Sequence, residues 1–335
     1  MICRLLKYDA IIEASKNDAP LIGGAPVRKG GVFTLQRKKE KVKIHYSKKE
    51  NLQGFLFILP AMIPLLIFWI LPVLLSGALS FTDWDMMSEE IGFRGLKNYT
   101  SLLGDQKFME AMKNTLVFAV GSTVPTIVFG MLIALAMDGA RKGTNIYRTI
   151  IFAPYITPMV AVSVVWSWIF EPRVGILNML MRILGLPESQ WLQSSKTAMI
   201  SVLIVTIWKS LGWTMIFYME AIRKVPQSLL EAADMDGANG FWKFLKITLP
   251  MISPTTFFLV IMSTISSLQA YDQIQILTQG GPAGATRTLL YFYYQEAFRN
   301  FDTGKASAVA LVLVFITVIL SLIETEISKK TVFYN

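Results

Sequence analysis

The sequence predicts an all-α membrane protein with six membrane-spanning helices. Of its 335 residues, 53% are hydrophobic and only 16% are charged, whereas a soluble domain is on average about 45–50% apolar and about 25% charged. The apolar residues are concentrated in six runs, each long enough to cross a bilayer. Because a backbone inside hydrocarbon must satisfy its own hydrogen bonds, each run should be helical.

The predicted spans cover about residues 55–80, 115–137, 150–170, 198–219, 251–271 and 306–323. A helix rises about 1.5 Å per residue, so about 20 residues cross the hydrocarbon core. The first run begins after residue 50 and is longer than the apolar core of a signal peptide, so we interpret it as a retained span. The prolines Pro60, Pro64 and Pro72 should kink this span or form its ends.

The first 50 residues differ in character from the rest of the chain. Residues 1–54 hold 12 of the 32 Lys and Arg residues. We expect residues 1–50 to form a largely disordered cytoplasmic tail that meets anionic lipid near its end, and residues 51–335 to form the transmembrane domain. The net charge of +9 could suggest nucleic acid. However, the basic residues avoid the spans and crowd one end, so we expect no nucleic-acid partner.

Basic residues beside the spans predict the orientation of the chain. With the N-terminus inside, the cytoplasmic segments hold 21 Lys and Arg residues and the outer segments hold 10. An excess of Lys and Arg marks the cytoplasmic side. Both termini are therefore expected in the cytoplasm.

The sequence lacks the residues that several kinds of chemistry require. There is one cysteine, Cys3, and one histidine, His45, so we predict no catalytic residues, no metal site and no bound cofactor. The predicted spans contain no Asp or Glu and a single basic residue, Lys209, whereas a proton-coupled carrier usually needs a carboxylate inside the membrane. Sodium coupling through backbone carbonyls stays open as an alternative. No phosphate-binding loop of the G-x-x-x-x-G-K-[ST] type occurs, so ATP-driven transport would need a partner.

The cytoplasmic segment between spans 4 and 5 is the best candidate for a docking surface for such a partner. Pro226 should end one helix and open another, the short helix QSLLEAADM. Within it, Ala232 and Ala233 offer a face of small side chains that another protein can approach closely. Gly237 permits a turn that other residues resist, and a second helix at about 240–247 should lead to Pro250 at the start of span 5.

This segment resembles the signature loop of binding-protein-dependent ABC permeases. The pattern of that loop is E-A-A, three residues, Gly, nine residues and I-x-L-P, and every spacing is matched here. By this resemblance, the residues that couple the chain to an ATPase are Glu231, Ala232, Ala233, Asp236, Gly237, Ile247, Leu249 and Pro250. The stretch EAADMDGA is similar to the carbohydrate-uptake branch, and GGP at 280–282 is similar to the outer loop of sugar permeases. The final KKTVFYN is similar to the first permease of maltose- and glycerol-phosphate-type systems.

The resemblance, which covers about residues 55–335, carries further expectations. It implies the type I ABC importer fold, with coupling helices on the cytoplasmic side of a bacterial inner membrane. It also implies a second permease subunit that forms a heterodimer with this chain, a dimer of ATPase subunits that binds ATP and Mg²⁺, and an extracytoplasmic binding protein that delivers a sugar or oligosaccharide. An anionic substrate such as glycerol 3-phosphate or a uronate oligosaccharide stays open, since Lys209 could bind one.

Candidate substrate contacts lie in spans 4 and 5, because sugars need hydrogen-bonding groups and aromatic faces. Span 5 supplies Ser263, Ser266, Ser267, Gln269 and Tyr271, and positions 263, 266, 267 and 270 share one helical face. Span 4 supplies Trp208, Ser210 and Trp213. The alternative for the serines is close packing between membrane helices, and the alternative for the tryptophans is a contact with lipid or with another helix.

Overall fold

A computed structural model describes residues 48–138 and 143–332, with only the backbone described at 48–51 and 331. Within these ranges the chain is helical, and its only strand-like feature is an isolated bridge between Thr82 and Phe93. The predicted basic tail lies outside the described ranges apart from residues 48–50, so its disorder and lipid contact stay predictions, as does the domain boundary at residue 50. The described chain divides into two units between Met62 and Ile63.

The first span is a single long helix with an internal irregularity. Helix α1 (Lys48–Leu65) continues through a π-helical turn (Leu66–Ile70) into α2 (Leu71–Leu79). The turn lies between Pro64 and Pro72, two residues that cannot donate a backbone hydrogen bond, and a π-helical turn is one way in which a helix absorbs such gaps. The prolines therefore do not end this span, and the π-helical turn is the irregularity found beside two of them.

The remaining helices are numbered in chain order. They are α3 (Lys97–Gly104), α4 (Gln106–Asp138), α5 (Thr144–Ile156), α6 (Met159–Ile169), α7 (Ile176–Ile183), α8 (Ala198–Arg223), α9 (Gln227–Met235), α10 (Gly240–Lys243), α11 (Leu249–Met251), α12 (Ser253–Leu268), α13 (Asp272–Leu277), α14 (Leu289–Phe298) and α15 (Thr303–Thr331). A second π-helical turn, Phe244–Thr248, joins α10 to α11.

Within the described residues, four continuous helices are long and apolar enough to cross a membrane: Leu52–Leu79, α4, α8 and most of α15. The number rises to six if each of two bent pairs is one span: α5 with α6, bent by 99°, and Gly240–Met251 with α12, bent by 65°. The six predicted spans all fall on these elements.

The two bends follow from the local sequence. Helix α5 ends at Ile156 because Thr157 is extended and Pro158 follows it. In the second pair, the prediction that Pro250 lies at the start of span 5 is wrong. Pro250 lies within α11, before the bend at Ile252, and Pro254 instead lies in the first turn of α12, where a missing N–H costs nothing.

Small residues let α8 pack closely against its neighbours. A Cβ atom added at Gly212 would lie 2.4 Å from the carbonyl oxygen of Ile151 in α5, and one added at Gly130 in α4 would lie 2.6 Å from Thr214 Cγ2. Close approach at glycine is a common basis of helix packing in membranes, where no hydrophobic force drives helices together. These contacts hold α4, α5 and α8 around the cavity described below.

A cluster of charged side chains links three parts of the chain near the start of α15. Lys305, in the first turns of α15, forms ion pairs with Asp105 at 2.9 Å and with the buried Glu296 at 3.5 Å. Burial alone would raise the pKa of the Asp105 carboxyl, but the hydrogen bond and charge of Lys305 hold that pKa below its ordinary value. The cluster therefore joins α4, α14 and α15 on the side that the charge distribution predicts to be outside.

Candidate functional site: a polar cavity and a helical elbow

The segment between α8 and α12 forms a helical elbow, defined as residues 224–252. Helix α8 ends at Arg223, and Pro226, in an extended conformation, caps the start of α9. The short helix QSLLEAADM is thus confirmed, at residues Gln227–Met235. Helix α10, the second π-helical turn and α11 form the other limb of the elbow.

The corner of the elbow is a well-defined helix cap. Gly237 adopts the left-handed conformation, with φ +77°, and its N–H donates to the carbonyl of Asp234. The N–H of Ala238 donates to the carbonyl of Ala233. This pair of bonds is the Schellman arrangement, which favours glycine at the left-handed position. The predicted turn at Gly237 is therefore present.

Side-chain contacts fix the second limb relative to the first. The Asn239 side chain accepts a 2.8 Å hydrogen bond from the backbone N–H of Trp242 and so caps α10. Lys243 Nζ lies 2.7 Å from Asp234 Oδ1, which links α10 to α9. The two limbs therefore form one structural piece.

The eight predicted coupling residues divide into two groups by exposure. Glu231, Ala232, Asp236 and Gly237 are exposed, whereas Ala233 is only 6% exposed. The expectation that Ala232 and Ala233 form one docking face is therefore wrong for Ala233, because consecutive residues of a helix point about 100° apart. Ile247, Leu249 and Pro250 are half-buried, and Ile247 packs against the core cluster around Met215 and Tyr218.

Large apolar side chains on the elbow were missed by the sequence reasoning. Met235 is 90% exposed and Phe241 is 74% exposed. Both lie among polar residues of a segment between two predicted spans, and this signal could have pointed to them. An exposed apolar surface of this kind, rimmed by polar side chains, is typical of a protein interaction site.

A cavity of about 340 Å³ lies among the membrane helices. Seven of the eight predicted substrate contacts line it: Ser210, Trp213, Ser263, Ser266, Ser267, Gln269 and Tyr271. The remaining one, Trp208, does not line it, because its ring packs edge-on against Trp166 with the ring centroids 5.5 Å apart. The structure thus brings together residues from α8, from α12 and from the segment that follows α12.

The predicted serine face continues past the end of its helix. Helix α12 ends at Leu268, and Gln269 is its C-terminal cap. Gln269 and Tyr271 therefore line the cavity from a non-helical stretch that leads into α13. Such a break inside the membrane is tolerated where the backbone lines a cavity.

Several cavity residues were not predicted. Helix α4 contributes Ser122, Thr123 and Thr126, and the region of the bend between α5 and α6 contributes Tyr155 and Met159. The sequence signal at 122–126 is a group of small hydroxyl residues in a membrane helix, which is equally typical of helix packing. Only the packing of α4 against α8 places these hydroxyls in the cavity.

The hydroxyl groups of the cavity differ in availability. Ser122 Oγ donates to the carbonyl of Phe118 and Ser267 Oγ donates to the carbonyl of Thr264, so both are satisfied within their own helices. The side chains of Ser263 and Ser266 and the amide of Gln269 form no hydrogen bonds with the part of the chain that the structure describes. These three groups are free to bind a polar ligand.

Lys209 is the cation of the cavity. Its Nζ donates a 2.8 Å hydrogen bond to the carbonyl of Tyr155 and lies 5.4 Å from the centre of the Tyr155 ring. That carbonyl is near the end of α5, and a cation near the last carbonyls of a helix is favourable. The Tyr155 ring in turn stacks on Trp213 at 5.1 Å. Two N–H groups of the ammonium have no protein acceptor in the described chain.

A bent helical bundle with an internal polar cavity and an exposed helical elbow is the architecture of a membrane permease. Residues 126–331 match the family described as "Binding-protein-dependent transport system inner membrane component". The chain belongs to this family, and the resemblance given by the E-A-A loop is confirmed. The chain is thus a multi-pass transport component.

Relatives of known type agree with this assignment. The chain is 35% identical over 279 residues to the probable ABC transporter permease protein YurN of Bacillus subtilis, covering 82% of this chain and 95% of that protein. It is 30% identical over 282 residues to the sn-glycerol-3-phosphate transport system permease protein UgpA of Agrobacterium fabrum, covering 84% of this chain and 96% of that protein.

The fold is also found in a solved structure. A chain of a bacterial alginate ABC transporter, crystallised in complex with alginate pentasaccharide-bound periplasmic protein, superposes with a TM-score of 0.73 at 22% identity. The match covers 84% of this chain and 96% of that chain. The predicted fold class, an all-α type I importer permease, is confirmed.

Proposed function

We propose that this chain is the permease subunit of an ATP-driven importer that carries a sugar or oligosaccharide delivered by an extracytoplasmic binding protein. The observation that carries this proposal is the cavity, in which the unpartnered groups of Ser263, Ser266 and Gln269 lie beside the rings of Tyr155 and Trp213. Hydroxyl and amide groups suit the hydroxyls of a sugar, and aromatic faces suit its C–H faces. The solved structure with the same fold belongs to an importer of the acidic polysaccharide alginate, a substrate of the class proposed here.

The elbow supplies the proposed link to ATP hydrolysis. A dimer of separate ATPase subunits, which would bind ATP and Mg²⁺, grips the exposed face that contains Glu231, Ala232 and Gly237. Met235 and Phe241 provide apolar contact area around it. Ala233 and Ile247 act on the other side of the elbow, where they hold it against the bundle. This chain itself carries out no catalysis.

A second permease subunit completes the proposed transporter. This chain alone does not fully enclose the cavity, so the partner permease would complete its wall. We expect that partner to be a different chain, and we expect both termini of this chain in the cytoplasm of a bacterial cell with the bundle in its inner membrane. The excess of Lys and Arg in the predicted cytoplasmic segments supports this orientation.

The experiment is transport by the complete complex in proteoliposomes. This chain, its partner permease and its ATPase are reconstituted with the binding protein, and uptake of neutral and acidic oligosaccharides is measured with and without ATP. We expect ATP-dependent uptake that Ser263→Ala with Ser266→Ala weakens, while Trp208→Phe has no effect. Uptake that proceeds without the ATPase, as in an ion-coupled carrier, would contradict the proposal.

An acidic sugar is the second candidate substrate, and the observation that favours it is Lys209. Its ammonium group lies in the cavity with unused N–H groups, and relatives include a glycerol-3-phosphate permease and an alginate importer. Lys209→Gln should then raise KM for an oligouronate about tenfold or more, since a charge-assisted hydrogen bond is worth roughly 1.5–3 kcal/mol. An equal effect on a neutral oligosaccharide would indicate that Lys209 only supports Tyr155.

A further inference from the structure

An unassigned row of aromatic rings extends from the cavity through α14. Tyr271 lines the cavity, and its ring centroid lies 5.1 Å from that of Tyr294. The Tyr294 ring lies 5.6 Å from that of Phe298. These spacings leave no gap in the row, and exposure increases along it, from the half-buried tyrosines to Phe298 at 54%.

A further aromatic ring, that of Tyr291, is buried behind this row. The Tyr291 ring is completely buried behind the other two tyrosines, 6.3 Å from Tyr271 and 6.0 Å from Tyr294. Gly280 makes room for it, because a Cβ atom at Gly280 would lie 2.6 Å from Tyr291 Cε1. Glycine is also suited to the left-handed φ of +76° at this position. The G-G-P turn therefore holds the aromatic row in place.

Helix periodicity keeps the row on one face of α14. Residues 291, 294 and 298 are spaced by three and four positions, so their side chains are aligned along the helix. The Arg299 guanidinium lies over the Tyr294 ring at 5.7 Å, which places a hydrogen-bond donor beside the aromatic surface. The helix lies in the segment predicted to be outside, so the row leads from the cavity towards the side from which a binding protein would deliver substrate.

We propose that Tyr271, Tyr294 and Phe298 form an aromatic rail that takes successive rings of an oligosaccharide by their apolar C–H faces and leads the chain into the cavity. The inference rests on the proposed function and adds to it a binding surface outside the cavity. The occupant is an oligosaccharide because the rail is continuous with the cavity at Tyr271, and because flat aromatic faces beside polar groups match a sugar ring, which has C–H faces and a hydroxyl rim.

The test compares ring removal with ring retention in the full reconstituted complex. Uptake of maltotetraose, xylotetraose and tetragalacturonate is measured, and the tetrasaccharide that the wild type imports fastest becomes the probe. Tyr294→Ala and Phe298→Ala should each raise KM about 2- to 10-fold, the size expected for one lost aromatic contact. Tyr294→Phe and Phe298→Tyr retain a ring and should stay near wild type, as should Trp168→Ala, which removes a 75% exposed ring elsewhere.

Each outcome of this test either supports or contradicts the aromatic rail. Import of none of the three sugars would reject the proposed substrate class, and the rail with it. Import with an unchanged KM in both alanine variants would reject the rail alone. Reduced co-purification of the partner permease, or weaker affinity for the binding protein, would also overturn the rail and identify this aromatic face as a protein interface.

Discussion

Replacement of Gly237 by alanine tests the elbow with little disturbance of anything else. Gly237 has φ +77°, and nothing lies within 4 Å of the Cβ atom that alanine would add. The substitution therefore causes no clash, and its cost is the left-handed conformation alone, about 1–2 kcal/mol for a residue with a side chain. If the ATPase binds the elbow only in this conformation, and the elbow of the free variant relaxes out of it, the variant must return to the left-handed conformation on binding. That cost would lower its affinity for the ATPase by a factor of up to about 5–30.

The assay is the apparent Kd of the purified ATPase for the permease pair in nanodiscs, together with ATP hydrolysis stimulated by the binding protein. Gly185→Ala is the matched control, because Gly185 has φ +69°, has equally open surroundings and lies outside the elbow. We expect Gly237→Ala to weaken ATPase binding and Gly185→Ala to leave it unchanged. Gly237→Asn should lose less ATPase affinity than Gly237→Ala, since asparagine tolerates the left-handed conformation. Equal ATPase affinity in Gly237→Ala and wild type would refute the reasoning.

Four further substitutions and one control substitution test the helix packing by thermal unfolding in detergent. Lys305→Met leaves the buried Glu296 carboxylate unpaired and should lower the free energy of unfolding by about 3 kcal/mol. Because the pKa of Asp105 is lowered in the folded protein, its ionised form stabilises the fold, and the wild type should lose stability as the pH falls below the ordinary pKa of 3.8. Asp105→Asn should remove this loss. Gly212→Ala should destabilise by about 1–3 kcal/mol, because the new Cβ would meet backbone at 2.4 Å, whereas Gly77→Ala, with open space, should be neutral or slightly stabilising. Asn178→Ala should cost about 2–4 kcal/mol and loosen the segment between α6 and α8, since the buried amide donates to two carbonyls and accepts from a backbone N–H and an indole N–H.

The spans were predictable because the bilayer imposes a simple requirement on composition and length. Predicted span 115–137 lies inside α4, and predicted span 198–219 lies inside α8. The bends were only partly predictable. A proline marks where a helix can break, as at Pro158, but whether the flanking helices continue straight or turn by 99° depends on packing with other helices.

The candidate site was predictable where a residue's type fixes its environment. Gly237 was predicted at a turn, since few other residues adopt its conformation. Ala233 and Trp208 were wrongly placed, because alanine and tryptophan fit exposed and packed positions equally well. For Trp208, the direction of the side chain is set by rotation of α8, and no local pattern in the sequence fixes that rotation for a helix with apolar residues on most of its faces.

Helix α12 connects the bend at the end of the elbow to the cavity. Ile252, at the bend between α11 and α12, is only 1% exposed, and nearby the Tyr218 hydroxyl donates to Thr256, which joins α8 to α12. Ser263 lies eleven residues beyond Ile252, or about 16 Å along the helix. Under the proposed coupling, a tilt of α12 by about 10° about this bend would move the serine by about 3 Å, as follows from that length. A displacement of this size equals a hydrogen-bond length, so a small rotation at the elbow is enough to release a sugar hydroxyl.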